Sequence, residues 1–282
     1  MGLVMLGLAL HHPSISESAD GAPRALAGIT AWAVVYAREV DPARLTPFGL
    51  VVVDAEVAVP AAVLKRSGAK ILAYLSLGEV HRSRAYFPRV EDAGWLVREN
   101  ASWKGSFLVD VRQEGWRRMV VGELAPAILE RGFDGLFLDT LDTAEVLERE
   151  DPARYGGSIR EMADLVKALR AKYPTAVLLP NNAFQVLEHV ASAVDGVVAE
   201  SVFATYDFST KRYHRLADAS KEYKLALLTD VRRRHRLPVF TIEYAPPSEA
   251  ELAAYAADAS RAAGFVPYVT TIDLQPVHQP PP

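Results

Sequence analysis

The sequence predicts an α/β protein built as a (β/α)8 TIM-type barrel with one strand to spare. Three observations carry that prediction. Short apolar runs alternate with helix-like segments along most of the chain, and such alternation implies parallel strands joined by right-handed crossovers. Most of those runs end abruptly in a carboxylate, hydroxyl or amide, the way barrel strands deliver functional groups to the barrel mouth. The length of 282 residues also suits a fold that commonly uses about 250 residues as one domain.

Taken in order, residues 28–36, with Trp32 and Tyr36, read as the first strand. Asp41-Pro42-Ala43-Arg44-Leu45 is a helical turn or short loop, and Leu50-Val51-Val52-Val53 is a second buried strand ended by Asp54. Residues 60–67 read as a helix, with proline in its first turn and Gly68 as its stop. Residues 71–77 form the third strand, followed by Gly78-Glu79. Residues 80–105 are aromatic-rich without a period (Tyr86, Phe87, Trp95, Trp103) and read as a long irregular loop. Such a loop either shapes a substrate site or packs on its own aromatics. Residues 107–110 are the fourth strand. Trp116, Val120, Leu124 and Ile128 then recur at helical spacing up to Gly132, marking a core-facing helix.

The fifth strand is the centre of the chain: Gly132-Phe133-Asp134-Gly135-Leu136-Phe137-Leu138-Asp139-Thr140-Leu141-Asp142. Residues 158–173 are an amphipathic helix with the stripe Ile159, Met162, Leu165, Val166 and Leu169, Ser158 as its cap, Glu161 three residues later and Pro174 beyond its end. Residues 177–182 make the sixth strand with the exit Asn181-Asn182, and residues 184–192 a helix. Asp195-Gly196-Val197-Val198-Ala199-Glu200-Ser201 repeats the pattern of the fifth strand and ends in a second acid. Residues 210–228 read as helix, 239–244 as the eighth strand, 248–263 as an Ala-rich helix stopped by Gly264, and 265–270 as the last strand. The tally exceeds a closed eight-stranded ring by one, so one run is either extra or misread.

Residues 1–27 read as a leader or flexible arm. Within them, residues 3–10 are apolar like a signal-peptide core, but a basic start and a small-x-small cleavage site are missing. The stretch is too short to span a bilayer. A secreted or periplasmic location is expected, with a cytoplasmic one as the alternative. Residues 28–274 are expected to form one domain and 275–282, which end in three prolines, a disordered tail. A hydrophobic content of 50% with 23% charged residues is that of an ordinary globular chain. A net charge of -4 argues against a nucleic-acid surface, which needs a clustered basic face. The basic run Arg232-Arg233-Arg234-His235-Arg236 reads as a solvated loop. The sequence has no cysteine, which excludes disulfides, thiolate metal sites and a cysteine nucleophile. No later segment reads as a membrane span.

The strand exits carry Tyr36, Asp54, Glu79, Asp110, Asp139 with Asp142, Asn182, Glu200, and Glu243 with Tyr244. His81 is the one histidine near an exit, no serine sits in an elbow motif, and Gly156-Gly157 lacks the spacing of a phosphate loop. Carboxylate pairs without histidine fit glycoside hydrolysis, in which one acid protonates the leaving oxygen and the other attacks the anomeric carbon or activates water. Clustered like charges raise one pKa and keep that acid protonated. Asp54 or Asp110 alone reads equally well as a helix cap. Asp139 and Glu200 together read as the acting pair, since both follow apolar runs. Two other accounts stand beside this one. Asp139, Asp142, Glu200 and Glu79 could form an all-oxygen site for Mg²⁺ or Ca²⁺ in a metal-dependent hydrolase. The same barrel could instead bind carbohydrate without turning it over.

Five phrases occur in one order over residues 28–274: Ala73-Tyr74-Leu75-Ser76-Leu77-Gly78-Glu79, the stretch from Gly132 to Asp142, Asn181-Asn182-Ala183-Phe184, Ala199-Glu200-Ser201-Val202-Phe203, and Gly264-Phe265-Val266-Pro267-Tyr268-Val269-Thr270. In these the chain resembles the endo-α-1,4-polygalactosaminidase family of glycoside hydrolases. The resemblance implies a barrel that cleaves α-1,4-linked galactosamine polymers without a cofactor or metal, with Asp139 and Glu200 as catalytic acids. In that reading Asp139 is the nucleophile and Glu200 the general acid/base. Asp54, Glu79 and Asp142 meet the ammonium groups of a cationic amino-sugar polymer. Tyr36, Tyr74 and Tyr244 stack on sugar rings, and Asn182 and Glu243 complete the binding set. The family often has Asp-Tyr where this chain has Glu243-Tyr244, so the longer Glu243 is expected to reach further into the cleft. A monomer is expected.

Overall fold

The structure, a computed structural model, describes residues 25–280. Its strands are β1 (Trp32–Val35), β2 (Leu50–Val53), β3 (Lys70–Ser76), β4 (Glu79–His81), β5 (Leu96–Glu99), β6 (Ser106–Val109), β7 (Gly135–Asp139), β8 (Val177–Pro180), β9 (Val197–Glu200), β10 (Ala204–Asp207), β11 (Arg212–Arg215), β12 (Val239–Tyr244) and β13 (Val266–Thr270). Five of them pair in parallel in the order β1-β2-β3-β7-β8, and three more as β9-β12-β13. A parallel bridge between Asn181 and Val198 joins β8 to β9. On the other side β13 lies beside β1, where the Trp32 indole donates to Val266 O at 2.9 Å. Eight parallel strands therefore follow one another around a TIM-type ring, with the helices of the crossovers outside it.

The strand residues explain why the ring forms. β1, β2, β8 and β12 are buried at every position, as parallel strands covered on both faces must be. Trp32, Phe240 and Tyr268 pack together with ring centroids 5.3 and 6.2 Å from Trp32. The helix facing this core runs through Glu114–Met119, a π turn at Val120–Leu124, and Ala125–Leu129. The wider turn comes just ahead of Pro126, whose ring would clash with the carbonyl four residues back in a regular α-helix.

The spare strand is the fourth apolar run. Residues 107–110 do not enter the ring, because β6 pairs antiparallel with both β4 and β5 in a small separate sheet. The stretch 80–105 is not irregular either. It holds the helix Phe87–Asp92 and β5, then doubles back so that Ser106, Phe107 and Leu108 pair with His81, Val80 and Glu79. A short apolar run looks the same whether its partner is a ring strand or the chain just before it.

Three further expectations change. Residues 204–215 form the antiparallel hairpin β10–β11, and the following helix is Asp218–His235, with Leu228 its one buried residue. A weak apolar stripe gave the sequence little to fix its start, and the arginine run lies in its last turn rather than in a loop. Ser158 does not cap its helix: its hydroxyl donates to Tyr155 O at 2.7 Å, and Gly157 takes the cap position at φ 89. Of the expected disordered tail, Val277 and His278 are packed against the barrel. Val277 is buried, its carbonyl accepts from Arg44 Nη2 at 2.6 Å, and His278 N donates to the Tyr268 hydroxyl. Leu26 is buried in the core as well. The rest of the expected leader, residues 1–24, and residues 281–282 lie outside the described residues. No described helix is long and apolar enough to cross a membrane.

Gly135 begins β7 against Val177 of β8, and a Cβ there would lie 2.6 Å from Val177 N. Neighbouring backbone cannot yield as a side chain can. Gly135→Ala is expected to cost about 3 kcal/mol, read as a lower urea midpoint at unchanged slope.

Candidate active site

β7, β8 and β9 are consecutive in the ring, so the groups at their exits are neighbours in space. Asp139 and Glu200 end β7 and β9, and Asn181 follows β8. At each exit the next residue is left-handed: Thr140 at φ 61, Asn182 at φ 46 and Ser201 at φ 54. That conformation is unusual for any residue with a Cβ, and a genuine outlier for a β-branched one. Each turn is held from outside. The Thr140 hydroxyl accepts from Gly78 N at 2.8 Å and lies 2.7 Å from the Ser76 hydroxyl. Gly78 is required here, since a Cβ would come within 2.7 Å of Thr143 Cβ. Asn182 Oδ1 accepts from Glu200 N at 3.0 Å, and Ser201 N donates to Ile242 O at 2.8 Å. Lys224 reaches in from the helix Asp218–His235 and donates to the carbonyls of Glu200 and Ser201 at 2.7 and 3.1 Å.

These turns aim one amide at two carboxylates. The buried Asn181 Nδ2 donates to Asp139 Oδ1 at 2.9 Å and also to Glu200 Oε1. Tyr244 donates its hydroxyl to Glu200 Oε2 at 2.5 Å. Burial pushes the Asp139 carboxyl up, opposed by hydrogen bonds from Asn181, Thr140 N and Tyr74. Burial and then the charge of Asp139 push Glu200 up, opposed by Tyr244, Asn181 and Lys224. The phenols of Tyr36, Tyr74 and Tyr244 are raised by burial and by nearby acids, so they remain hydrogen-bond donors. The pair opens into a cleft of about 400 Å³ at the barrel mouth.

Of the residues singled out in the sequence, Tyr36, Asp54, Tyr74, Glu79, Asp139, Asp142, Asn182, Glu200 and Tyr244 all line that cleft. Asp142 is exposed at the cleft. Desolvation and then the charges of Asp139, Glu200 and Glu79 push it up to about 7. Glu79 is held by Asn100 Nδ2 at 2.8 Å, Ser106 Oγ at 2.7 Å and Thr143 Oγ1 at 3.3 Å. Asp54 differs from its expected role. Burial alone would raise its carboxyl, but the two-pronged bond from Arg84, at 3.0 and 2.6 Å, the Glu56 amide and the charges of Arg84 and Arg38 together outweigh this and hold it below its ordinary value. Its charge is therefore matched within the protein rather than left for a ligand. Tyr244 is buried and serves Glu200 as a donor instead of offering a face to sugar.

Glu243 departs most from expectation. It is fully buried and points away from the cleft. Strand alternation decides this, because Tyr244 takes the inward direction and its neighbour the other face. Glu243 Oε2 accepts from the amides of Phe203 and Ala204, both at 2.9 Å, and Oε1 accepts from Ser260 Oγ at 3.2 Å. It fixes the segment that follows Glu200. Burial pushes it up to about 7 despite those donors.

Sequence reasoning missed the functional weight of Asn181, Arg84 and Lys224. Asn181 had a signal, since two amides sit at one strand exit, but only the left-handed turn at Asn182 decides which of them faces both acids. Arg84 and Lys224 reach the site from outside the ring and carry no local signature. Among the described residues, no group of three or more His, Asp or Glu side chains is placed to hold a metal ion.

A parallel barrel whose mouth presents two half-buried carboxylates joined by an amide is the architecture of a glycoside hydrolase. The chain belongs to glycoside-hydrolase family GH114, whose model matches residues 14–281. The glycoside hydrolase domain of PelA from Pseudomonas aeruginosa is similar at TM-score 0.80 and 29% identity, over 90% of this chain and 99% of that one. Ega3 of Aspergillus fumigatus, solved in complex with galactosamine, shares the fold at TM-score 0.64 and 18% identity, over 87% of this chain and 92% of that one. An uncharacterized protein of Deinococcus radiodurans is 29% identical over 248 residues, 83% of this chain and 77% of its own length.

Two expected outcomes follow from this geometry. Asn181→Ala removes a donor that lowers both carboxyl pKa values. Turnover should fall about 10²-fold, and the acidic limb of the pH–rate profile should move to higher pH. Glu243 has a folded pKa near 7, above its ordinary 4.5. Its folded state holds the extra proton, so its contribution to stability is present at low pH and lost as pH rises through about 7. In thermal melts, Glu243→Gln should therefore gain on the parent as pH rises from 4.5 to about 7 and gain little above that, and a constant difference across that range would contradict this.

Proposed function

We propose that the chain cleaves an α-1,4-linked galactosamine-containing polysaccharide at internal bonds by double displacement, with Asp139 as nucleophile and Glu200 as general acid/base. The observation that carries this is the shared donor. Both carboxylates bond one nitrogen of Asn181, so their nearest oxygens are no further apart than two hydrogen bonds, under about 6 Å. That bound accommodates the about 5–5.5 Å between the carboxyls of retaining enzymes and falls short of the about 6.5–9.5 Å of inverting ones, which supports double displacement.

The split of roles follows from the surroundings. Asp139 receives three hydrogen bonds that favour its charged form. Glu200 lies in the field of that charge, which favours its protonated form. In the first step Asp139 attacks the anomeric carbon as the glycosidic bond breaks, and the proton of Glu200 passes to the leaving oxygen. In the second step Glu200 takes a proton from water, whose oxygen displaces Asp139 from the same carbon.

A cationic amino sugar suits the charge of the cleft. Asp139, Asp142, Glu200, Glu79 and Asp273 line it, against Arg84, which is already paired with Asp54. The complex of the similarly folded Ega3 with galactosamine points the same way.

Incubation with partially deacetylated α-1,4-galactosamine polymer should release new reducing ends. Asp139→Asn and Glu200→Gln should each lose about 10³-fold or more in rate while remaining folded. Proton NMR of the first product should show the α anomer, and β product would sink the double displacement.

A further inference from the structure

Two excursions rise beside the cleft, one carrying β4–β6 and the other the hairpin β10–β11. They leave β3 and β9, three places apart around the ring, so a contact between their tips crosses part of the mouth. That contact is aromatic. Trp103, in the turn before β6, meets Phe208, just past β10, edge to face with centroids 5.4 Å apart. These are 50% and 46% exposed, whereas nearly every other large apolar side chain among the described residues is at least partly buried. Trp103 also lines the cleft. The aromatic line continues from Phe208 to Tyr206 at 5.2 Å and on to Tyr213 at 4.8 Å. Tyr213 then accepts a hydrogen bond from Ile272 N, and Ile272 lines the cleft again.

The backbone that carries the rings is tied down, and the rings pack on one another. Asn100 Oδ1 accepts from Ser102 N at 2.9 Å and Trp103 N at 3.3 Å, while its Nδ2 donates to Glu79. The Trp103 carbonyl accepts from Ser106 N at 3.0 Å. Asp207 ties the hairpin tip through Ser209 N at 2.7 Å and Ser209 Oγ at 2.6 Å. An exposed ring on an anchored backbone, packed against a neighbour, has less freedom to lose when a ligand lands on it.

We propose that Trp103, braced by Phe208, is a remote sugar subsite that stacks one glycosyl unit of the bound polymer beyond the units at the cleavage point. This rests on the polysaccharide reading above. The apolar face of a hexosamine covers the indole, and its ammonium group is drawn to the π face. The subsite would make affinity depend on chain length and set how far substrate must extend for full affinity.

The test is calorimetric binding of α-1,4-galactosamine oligomers of graded length to Glu200→Gln protein, with and without Trp103→Ala. The longest oligomers should bind about 10-fold more weakly once the ring is gone. The shortest that bind should lose far less, and Trp103→Phe should recover most of the loss. Phe208→Ala, which removes the brace alone, should give a smaller loss with the same length dependence, and it serves where Trp103→Ala fails to fold. Equal loss at every length, or none, overturns the subsite while cleavage by the unmodified protein leaves the substrate reading intact. If no oligomer binds and no polymer is cleaved, the substrate reading falls, and the subsite with it.

Discussion

The site depends on one side chain amide bonded to two acids. Asn181 holds Asp139 and Glu200 side by side through one nitrogen. Two carboxylates brought together in a buried place repel, and burial raises the cost of charging either. A neutral donor between them lowers that cost without adding a cation that would cancel the acidity of the cleft. Everything around it keeps the amide aimed, including the three left-handed turns after Asp139, Asn181 and Glu200. Backbone in that conformation costs roughly 1–3 kcal/mol per residue and persists where the surroundings over-determine it. Here the surroundings are Gly78, Ser76, Ile242 and Lys224.

The acids at the strand exits divide by what they bond. Asp139, Glu200 and Asp142 face the cleft and carry raised pKa values. Asp54 is matched by Arg84, and Asp110 by Arg112, whose charge and bonds hold that carboxyl below its ordinary value against the effect of burial. Glu243 and Glu79 anchor chain segments: the first fixes the backbone after Glu200, the second the base of the excursion bearing Trp103. A row of similar carboxyls thus divides into cleft-facing, charge-paired and loop-anchoring groups, and partner geometry separates them.

Much of the ring was legible because parallel strands buried on both faces must be apolar at every position, as Leu50–Val53 and Val177–Pro180 are. The acids Asp139 and Glu200 were legible because a polar residue after such a run has nowhere to go but the mouth. The run at 107–110 was misplaced because its antiparallel partner, the short β4, carries no alternation strong enough to be read. Of the hairpin, the sequence pattern reads β11 as the start of the helix expected over 210–228 for a similar reason: that strand is mostly exposed, and exposed polar residues take either form.

The sequence alone determined which residues could be strands, and hence that acids would gather at one end of a barrel, because hydrophobic burial acts on residue type and spacing. Only the tertiary structure decided that Asn181 rather than Asn182 joins the two acids, that Glu243 turns its back on the cleft, and that Trp103 meets Phe208 over the mouth. Those outcomes depend on single backbone torsions and on contacts between segments far apart in the chain, and neither leaves a mark in local composition.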